Sequence, residues 1–213
     1  MKYDTVIFDF DGTLVDSSEG IITHLKIALK SLGEPIPPYE ILRKFIGPSL
    51  LISFKTHCGM DDKRAFEAID AYRSTYDKDG YKQSIPYGGI IELIRKLRKN
   101  GAKTVIASAK PQYILDPCVE HLDFQPLFDA WVGSDCEGRA SNGKKEIVEK
   151  AMLGKNAVMV GDSVFDIDGG RDAGIDTVAV TYGFGFDDYE QAKNANPTYI
   201  AGSVEELEKI LLD

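Results

Sequence analysis

The spacing of apolar positions changes rhythm twice along the chain. Val6-Ile7-Phe8 is a short apolar run near the N-terminus, the pattern of a strand buried on both faces. After Leu14 the period becomes helical. Ile21, Ile22, Leu25, Ala28 and Leu29 define a first helix that Gly33 and Pro35 stop. Pro37-Pro38 opens a second, carrying Ile41, Leu42 and Phe45 and ended by Gly47-Pro48; a third covers roughly Ser49 to Cys58. A fourth begins at Asp61-Asp62, sets Ala65, Phe66, Ile69 and Tyr72 on one face and closes near Gly80. No strand is expected between these four, which read as an all-helical insert packed on itself.

From Pro86 helices alternate with short apolar strands. Ile90 to Leu97 is a helix closed by Asn100-Gly101, Lys103 to Ala107 a strand, and Pro111 to about Leu122 a helix. Ala130 to Gly133, Asn156 to Val160 and Thr177 to Thr181 are strands; helices run from Lys144 to Met152, from Ser163 to Asp172 and from Val204 to Leu212. Such alternation with short links implies right-handed crossovers and a parallel sheet covered on both faces. The expected fold is therefore α/β: a Rossmann-like, three-layer core of residues 1–15 and 86–213, interrupted by a helical cap of residues 16–85. The insert begins just past the C-terminal end of the first strand, the edge at which open α/β sheets bind ligands.

The 213 residues carry a net charge of −9, which argues against a nucleic-acid-binding surface. Cys58, Cys118 and Cys136 are scattered, without zinc-ligand spacing or a disulfide framework, and suit a reducing compartment. No signal-peptide pattern or membrane-length apolar run is present, so a cytoplasmic protein that binds neither membranes nor nucleic-acid polymers is expected. His24, His57 and His121 fit no metal spacing, and Tyr72, Tyr76 and Tyr81 suit the interior of the insert better than a ligand box.

The chemistry gathers where strands end. Asp9 and Asp11 stand at alternate positions closing an apolar strand, so both carboxylates can face one place, and Gly12 lets the chain turn at once. Charges there need a cation or hydrogen bonds, which points to a metal and a phosphate. Ser108 ends the next strand, and Asp162 with Asp166 follows a later one; on a parallel sheet all lie on the same edge. Helix capping is the competing reading for Ser108 and for the late pair.

Asp9-Phe10-Asp11-Gly12-Thr13 and Gly161-Asp162-Ser163-x-x-Asp166 resemble the signature motifs of the haloacid dehalogenase-like hydrolases. The long helical insert resembles their α-helical-cap subclass, which includes phosphoglycolate phosphatases, 5′-nucleotidases and β-phosphoglucomutases. The resemblance covers the whole chain and implies a Mg²⁺-dependent phosphatase acting on a small phosphorylated metabolite. Nucleoside 5′-monophosphates come first among expected substrates and 2-phosphoglycolate second. A phosphosugar mutase and a catalytically silent regulatory protein are the alternatives.

By that resemblance Asp9 is the nucleophile that becomes an aspartyl phosphate. Asp11 is the acid that protonates the leaving oxygen and then the base that activates water. Mg²⁺ would lie between Asp9, the main-chain carbonyl of Asp11 and Asp162, with Asp166 holding a water or a lysine. Ser108 and the amide of Ala109, placed at a helix N-terminus, would take a phosphoryl oxygen. Lys144 fits the family's lysine by spacing, with Lys145 and Lys110 as alternatives, because the preceding Arg139-Ala140-Ser141-Asn142-Gly143 lacks the usual Gly-Lys-Pro. In the insert, Arg43 and Gly47 are candidates for contact with the leaving group. A monomer or homodimer is expected.

Overall fold

The computed structural model describes residues 2–134 and 144–213. Cys136 and the segment 139–143, named above, lie outside them. Strand β1 (Thr5–Phe8) is central in a six-stranded, all-parallel sheet. Its partners are β4 (Lys103–Pro111) on one side and β6 (Ala157–Gly161) on the other, with Phe8 facing Ile106 and Val160 in register. β5 (Ala130–Ser134) lies outside β4, while β7 (Asp176–Val180) and β8 (Tyr199–Ala201) continue the sheet beyond β6. β8, at three residues, is too short for the apolar pattern to have marked it, and the six-residue helix α9 (Tyr189–Asn194) is too short and polar.

Strand alternation explains the layers. Val6 and Phe8 of β1 belong to one apolar cluster, shared with α5 (Ile90–Lys99), α6 (Gln112–His121) and α10 (Val204–Leu212). Ile7, between them, points to the opposite cluster, with Val105, Met159 and the apolar side of α7 (Lys144–Ala151). Buried on both faces, the sheet is sandwiched between two helical layers, α8 (Val164–Asp172) lying alongside α7.

Between β1 and α5 the chain leaves the sheet for α1 (Ser18–Ser31), α2 (Tyr39–Leu42), a 3₁₀ turn at Arg43–Phe45, α3 (Leu50–Cys58) and α4 (Asp62–Asp79). The two crossings pair with each other. β2 (Val15–Asp16) and β3 (Ile85–Pro86) form an antiparallel ribbon, Val15 opposite Pro86 and Asp16 opposite Ile85. Periodicity over two residues is unreadable, so the sequence gives no sign of this ribbon. The inserted helices pack on one another, and their interior is also continuous with the sheet's: Leu25, Leu29, Ile69 and Tyr72 share one apolar cluster with Phe10 and Leu14.

Candidate active site

Six acidic or basic side chains, Asp9, Asp11, Asp162, Asp166, Lys110 and Lys144, converge where β1, β4 and β6 end. Asp9 continues the ladder for one step, its N–H donating to Val160 O at 2.8 Å, so its position is fixed by the sheet. Gly12 then takes φ of +83°, a conformation that disfavours any side chain, and a Cβ there would strike the Asp162 carboxylate. Gly12 is thus required both by the turn and by the closeness of the next acid. Asp162 follows the last residue of β6, and its Oδ2 accepts the N–H groups of Phe184 (2.7 Å) and Gly185 (3.0 Å). Those amides come from the loop after β7, where Gly183-Phe184-Gly185 allows the backbone to close in; a Cβ at Gly183 would strike Asp162. This Gly-x-Gly after a strand end is the one sequence signal of that support.

Asp166 sits on the first turn of α8, where its Oδ2 accepts from Ser163 N–H (3.1 Å) and Oγ–H (2.6 Å) in a capping box. Asp166 therefore caps α8 and also faces the other charged groups. Its Oδ1 lies 2.7 Å from Lys144 Nζ, and the same ammonium lies 2.5 Å from Asp9 Oδ1. Lys144 opens α7 and is buried, whereas Lys145 points outward and meets Glu149 on the helix surface. Of the three lysines weighed from the sequence, Lys144 is the one against Asp9. Lys110 is buried on the other acid, its Nζ 3.1 Å from Asp11 Oδ2 and 3.1 Å from the hydroxyl of Tyr76 on α4.

Burial raises the Asp9 carboxyl well above the usual range; Lys144 pulls it down, and Asp166 and Asp162 push it up again. Asp162 is pushed up to about 7, mainly by burial and then by Asp166, against the opposing hydrogen bonds of Phe184 and Gly185. Lys144 stays charged despite its burial because Asp166 and Asp9 hold its proton. The site has more buried carboxylates than nearby ammonium groups. Oxygens of Asp9, Asp162 and Asp166 lie within 4.8 Å of one another, and Asp11 Oδ1 is buried without a hydrogen-bond partner among the described residues. Crowded hard oxygen donors of this kind fit a small divalent cation such as Mg²⁺.

Ser108 is buried near the end of β4, and its Oγ accepts the N–H of Lys110 at 3.1 Å. Ala109 does not stand at a helix N-terminus. β4 runs on to Pro111, and α6 begins at Gln112. Pro111 holds Lys110 in extended conformation and so delays the helix. Gly47, with φ of +97°, lines a cleft between the inserted helices and the sheet edge. Arg43 does not line it; its guanidinium reaches Phe184 O (3.4 Å) and approaches Asp187 (4.0 Å), tying the insert to the loop that supports Asp162. The cleft ends on Asp11, Ala109 and Lys110, with walls that include Phe45, Tyr72, Tyr76 and Tyr113. Tyr72 and Tyr76 are stacked at 4.9 Å and buried, as their helical spacing suggests, yet they also face this space.

A central parallel sheet with paired acids after β1 and a lysine-linked acidic pair after β6 defines a hydrolase class. The chain belongs to the haloacid dehalogenase-like hydrolase family, whose model matches residues 6–180. It is 32% identical to a 5′-nucleotidase of Pseudomonas aeruginosa, over 99% of this chain and 96% of that protein. It is 31% identical to the tyrosine-protein kinase PtkA of Mycobacterium tuberculosis, over 97% of this chain and 72% of that protein. The crystal structure of a predicted phosphatase from Clostridium acetobutylicum superposes with a TM-score of 0.91 at 37% identity, covering 100% of this chain and 99% of that one. Among the described residues no helix is long and apolar enough to cross a membrane.

Proposed function

We propose that the protein is a Mg²⁺-dependent phosphomonoesterase that works through an aspartyl phosphate on Asp9, with a nucleoside 5′-monophosphate as the favoured substrate. The observation that carries the reading is the Lys144 ammonium seated between Asp9 and Asp166 at the end of the central strand. An ammonium in that place favours the carboxylate form of Asp9 that nucleophilic attack requires, against the opposing effect of burial, and offsets charge arriving with a phosphoryl group.

Asp9 attacks phosphorus, and Asp11 gives a proton to the departing ester oxygen, then takes one from the water that frees Asp9. Ser108 Oγ–H, whose oxygen accepts the Lys110 N–H, would donate to a phosphoryl oxygen. Asp9, the main chain of Asp11 and Asp162 are the groups that would hold Mg²⁺, while Asp166 keeps Lys144 in place. The bound ion would supply charge neutralisation between the carboxylate and the phosphate.

Residues 16–85 act in this reading as a cap over a core of residues 1–15 and 86–213. Aromatic walls at Phe45, Tyr72, Tyr76 and Tyr113 favour a nucleoside over the small acid of 2-phosphoglycolate. The free Cys58 and Cys118 accord with a reducing, cytoplasmic setting.

Phosphate release should be measured across nucleoside monophosphates, 2-phosphoglycolate and sugar phosphates, with Mg²⁺ and with chelator. Release that needs Mg²⁺ and is fastest with nucleotides supports the reading. No release from any ester overturns it. Interconversion of sugar phosphates without net release would make the protein a mutase, and transfer to a tyrosine in place of water would make it a kinase.

A further inference from the structure

The Lys110 ammonium is buried and takes no part in holding Asp9. Its Nζ contacts Asp11 Oδ2 at 3.1 Å from the sheet side and the Tyr76 hydroxyl at 3.1 Å from α4, and the rings of Tyr76 and Phe10 flank it at 5.1 and 5.9 Å. The other oxygen of Asp11, Oδ1, is buried and accepts no hydrogen bond. The two oxygens of one carboxyl group are therefore unequal: one is pinned by a cation, and the other has no hydrogen-bond partner among the described residues.

We propose that Lys110, held by Tyr76, is a positioning residue that fixes Asp11 so that Oδ1 carries the proton delivered to the leaving group. An ammonium can only donate, so Oδ2 must act as the acceptor and the acidic proton resides on Oδ1. In the transfer, the Asp9–phosphorus bond forms and the bond from phosphorus to the ester oxygen breaks. The Asp11 Oδ1 proton passes to that oxygen, an alcohol departs, and Asp11 is left as a carboxylate. Because Tyr76 belongs to the inserted helices, the pinning is complete only while α4 is seated against the end of β4. The insert thereby takes part in proton transfer as well as in covering the cleft.

This inference rests on the phosphatase reading, and the two fail differently. An alkyl ester has a poor leaving group that needs a proton, whereas the nitrophenolate of p-nitrophenyl phosphate leaves with little help. Lys110→Met and Tyr76→Phe should be assayed on both esters, with uridine 5′-monophosphate or 2-phosphoglycolate as the alkyl ester, according to which the unaltered protein hydrolyses. The fall in kcat for the alkyl ester should exceed that for the aryl ester by at least about 10-fold in Lys110→Met and by about 3-fold in Tyr76→Phe, a part of the usual general-acid contribution. KM for the alkyl ester should change far less than kcat. Equal falls on the two esters, or a change confined to KM, overturn the proposal; should Lys110→Met fail to fold, Tyr76→Phe decides by the same comparison. An unaltered protein inactive on both esters overturns the phosphatase reading itself.

Discussion

Lys144 Nζ lies 2.5 Å from Asp9 Oδ1, a contact made across 135 residues of sequence between the first turn of α7 and the end of β1. Both groups are buried, and the lysine's second partner, Asp166, is itself locked by Ser163. The nucleophile expected from the sequence thus comes with a positional support that local spacing alone could not assign.

Asp9→Asn should abolish turnover, lowering phosphate release by at least about 10⁴-fold, since the amide cannot form the covalent ester. Its circular dichroism spectrum should match that of the unaltered protein. Full activity in this variant would remove covalent catalysis at Asp9 from consideration.

Lys144→Met leaves Asp9 and Asp166 facing each other without their shared cation. Breaking a buried pair from one side costs about 3–5 kcal/mol, so the denaturation midpoint should fall clearly. A variant as stable as the parent would mean that the ammonium contributes nothing net to the fold.

Mg²⁺ should raise the melting temperature, because an ion that binds only the folded chain stabilises it by about 2.7 kcal/mol at 100 times its dissociation constant. Chelator should reverse the shift. Asp162→Asn should abolish most of it, whether or not activity is measured, and an equal shift in that variant would exclude Asp162 as a ligand.

Acidification should act through His24, whose ring is buried between α1 and α4, with Nδ1 2.9 Å from Thr75 Oγ1 and an edge-to-face contact with Tyr76. Burial holds its pKa below 6.5, against a smaller opposing effect of Asp79. As pH falls below 6.5 the unfolded chain takes a proton that the folded one refuses, so this contribution to stability is present above 6.5 and declines below it. The loss is at most about 1.4 kcal/mol per pH unit. Asp162, raised to about 7, works in the opposite sense, so the measurable quantity is the stability difference between the parent and His24→Gln. That difference should shrink from pH 7.5 to pH 5.5; a constant difference would show that His24 titrates alike in both states.

The sheet and its helices could be read from the chain because long apolar runs carry their own period. Asp9, Asp11 and Asp162 stood out because acids at the ends of apolar strands conflict with burial. Spacing favours Lys144 over Lys145 but leaves both open, since they are adjacent in the first turn of the same helix and the direction of the side chain distinguishes them. The Lys110–Asp11–Tyr76 chain, which joins three distant segments, was not legible. The expected helix start at Pro111 is within one residue of the observed one, but β4 runs on through Ala109 and Lys110, so Ala109 lies in extended chain and not at the helix N-terminus. The β2–β3 ribbon lay below the length at which alternation means anything.

That ribbon has a consequence for what the fold tolerates. Because Asp16 and Ile85 are direct neighbours, the helices between them form one closed excursion whose ends are already as close as those of a hairpin. The sheet is therefore indifferent to the length of chain on the far side of the ribbon. Parallel pairing of β1 with β4 and β6 is set by the chain up to Asp16 and from Ile85 onward, and lengthening the excursion away from its contacts with the core adds only a slowly growing closure entropy. The molecule is built as a socket with a replaceable fitting, one attachment point serving both wires.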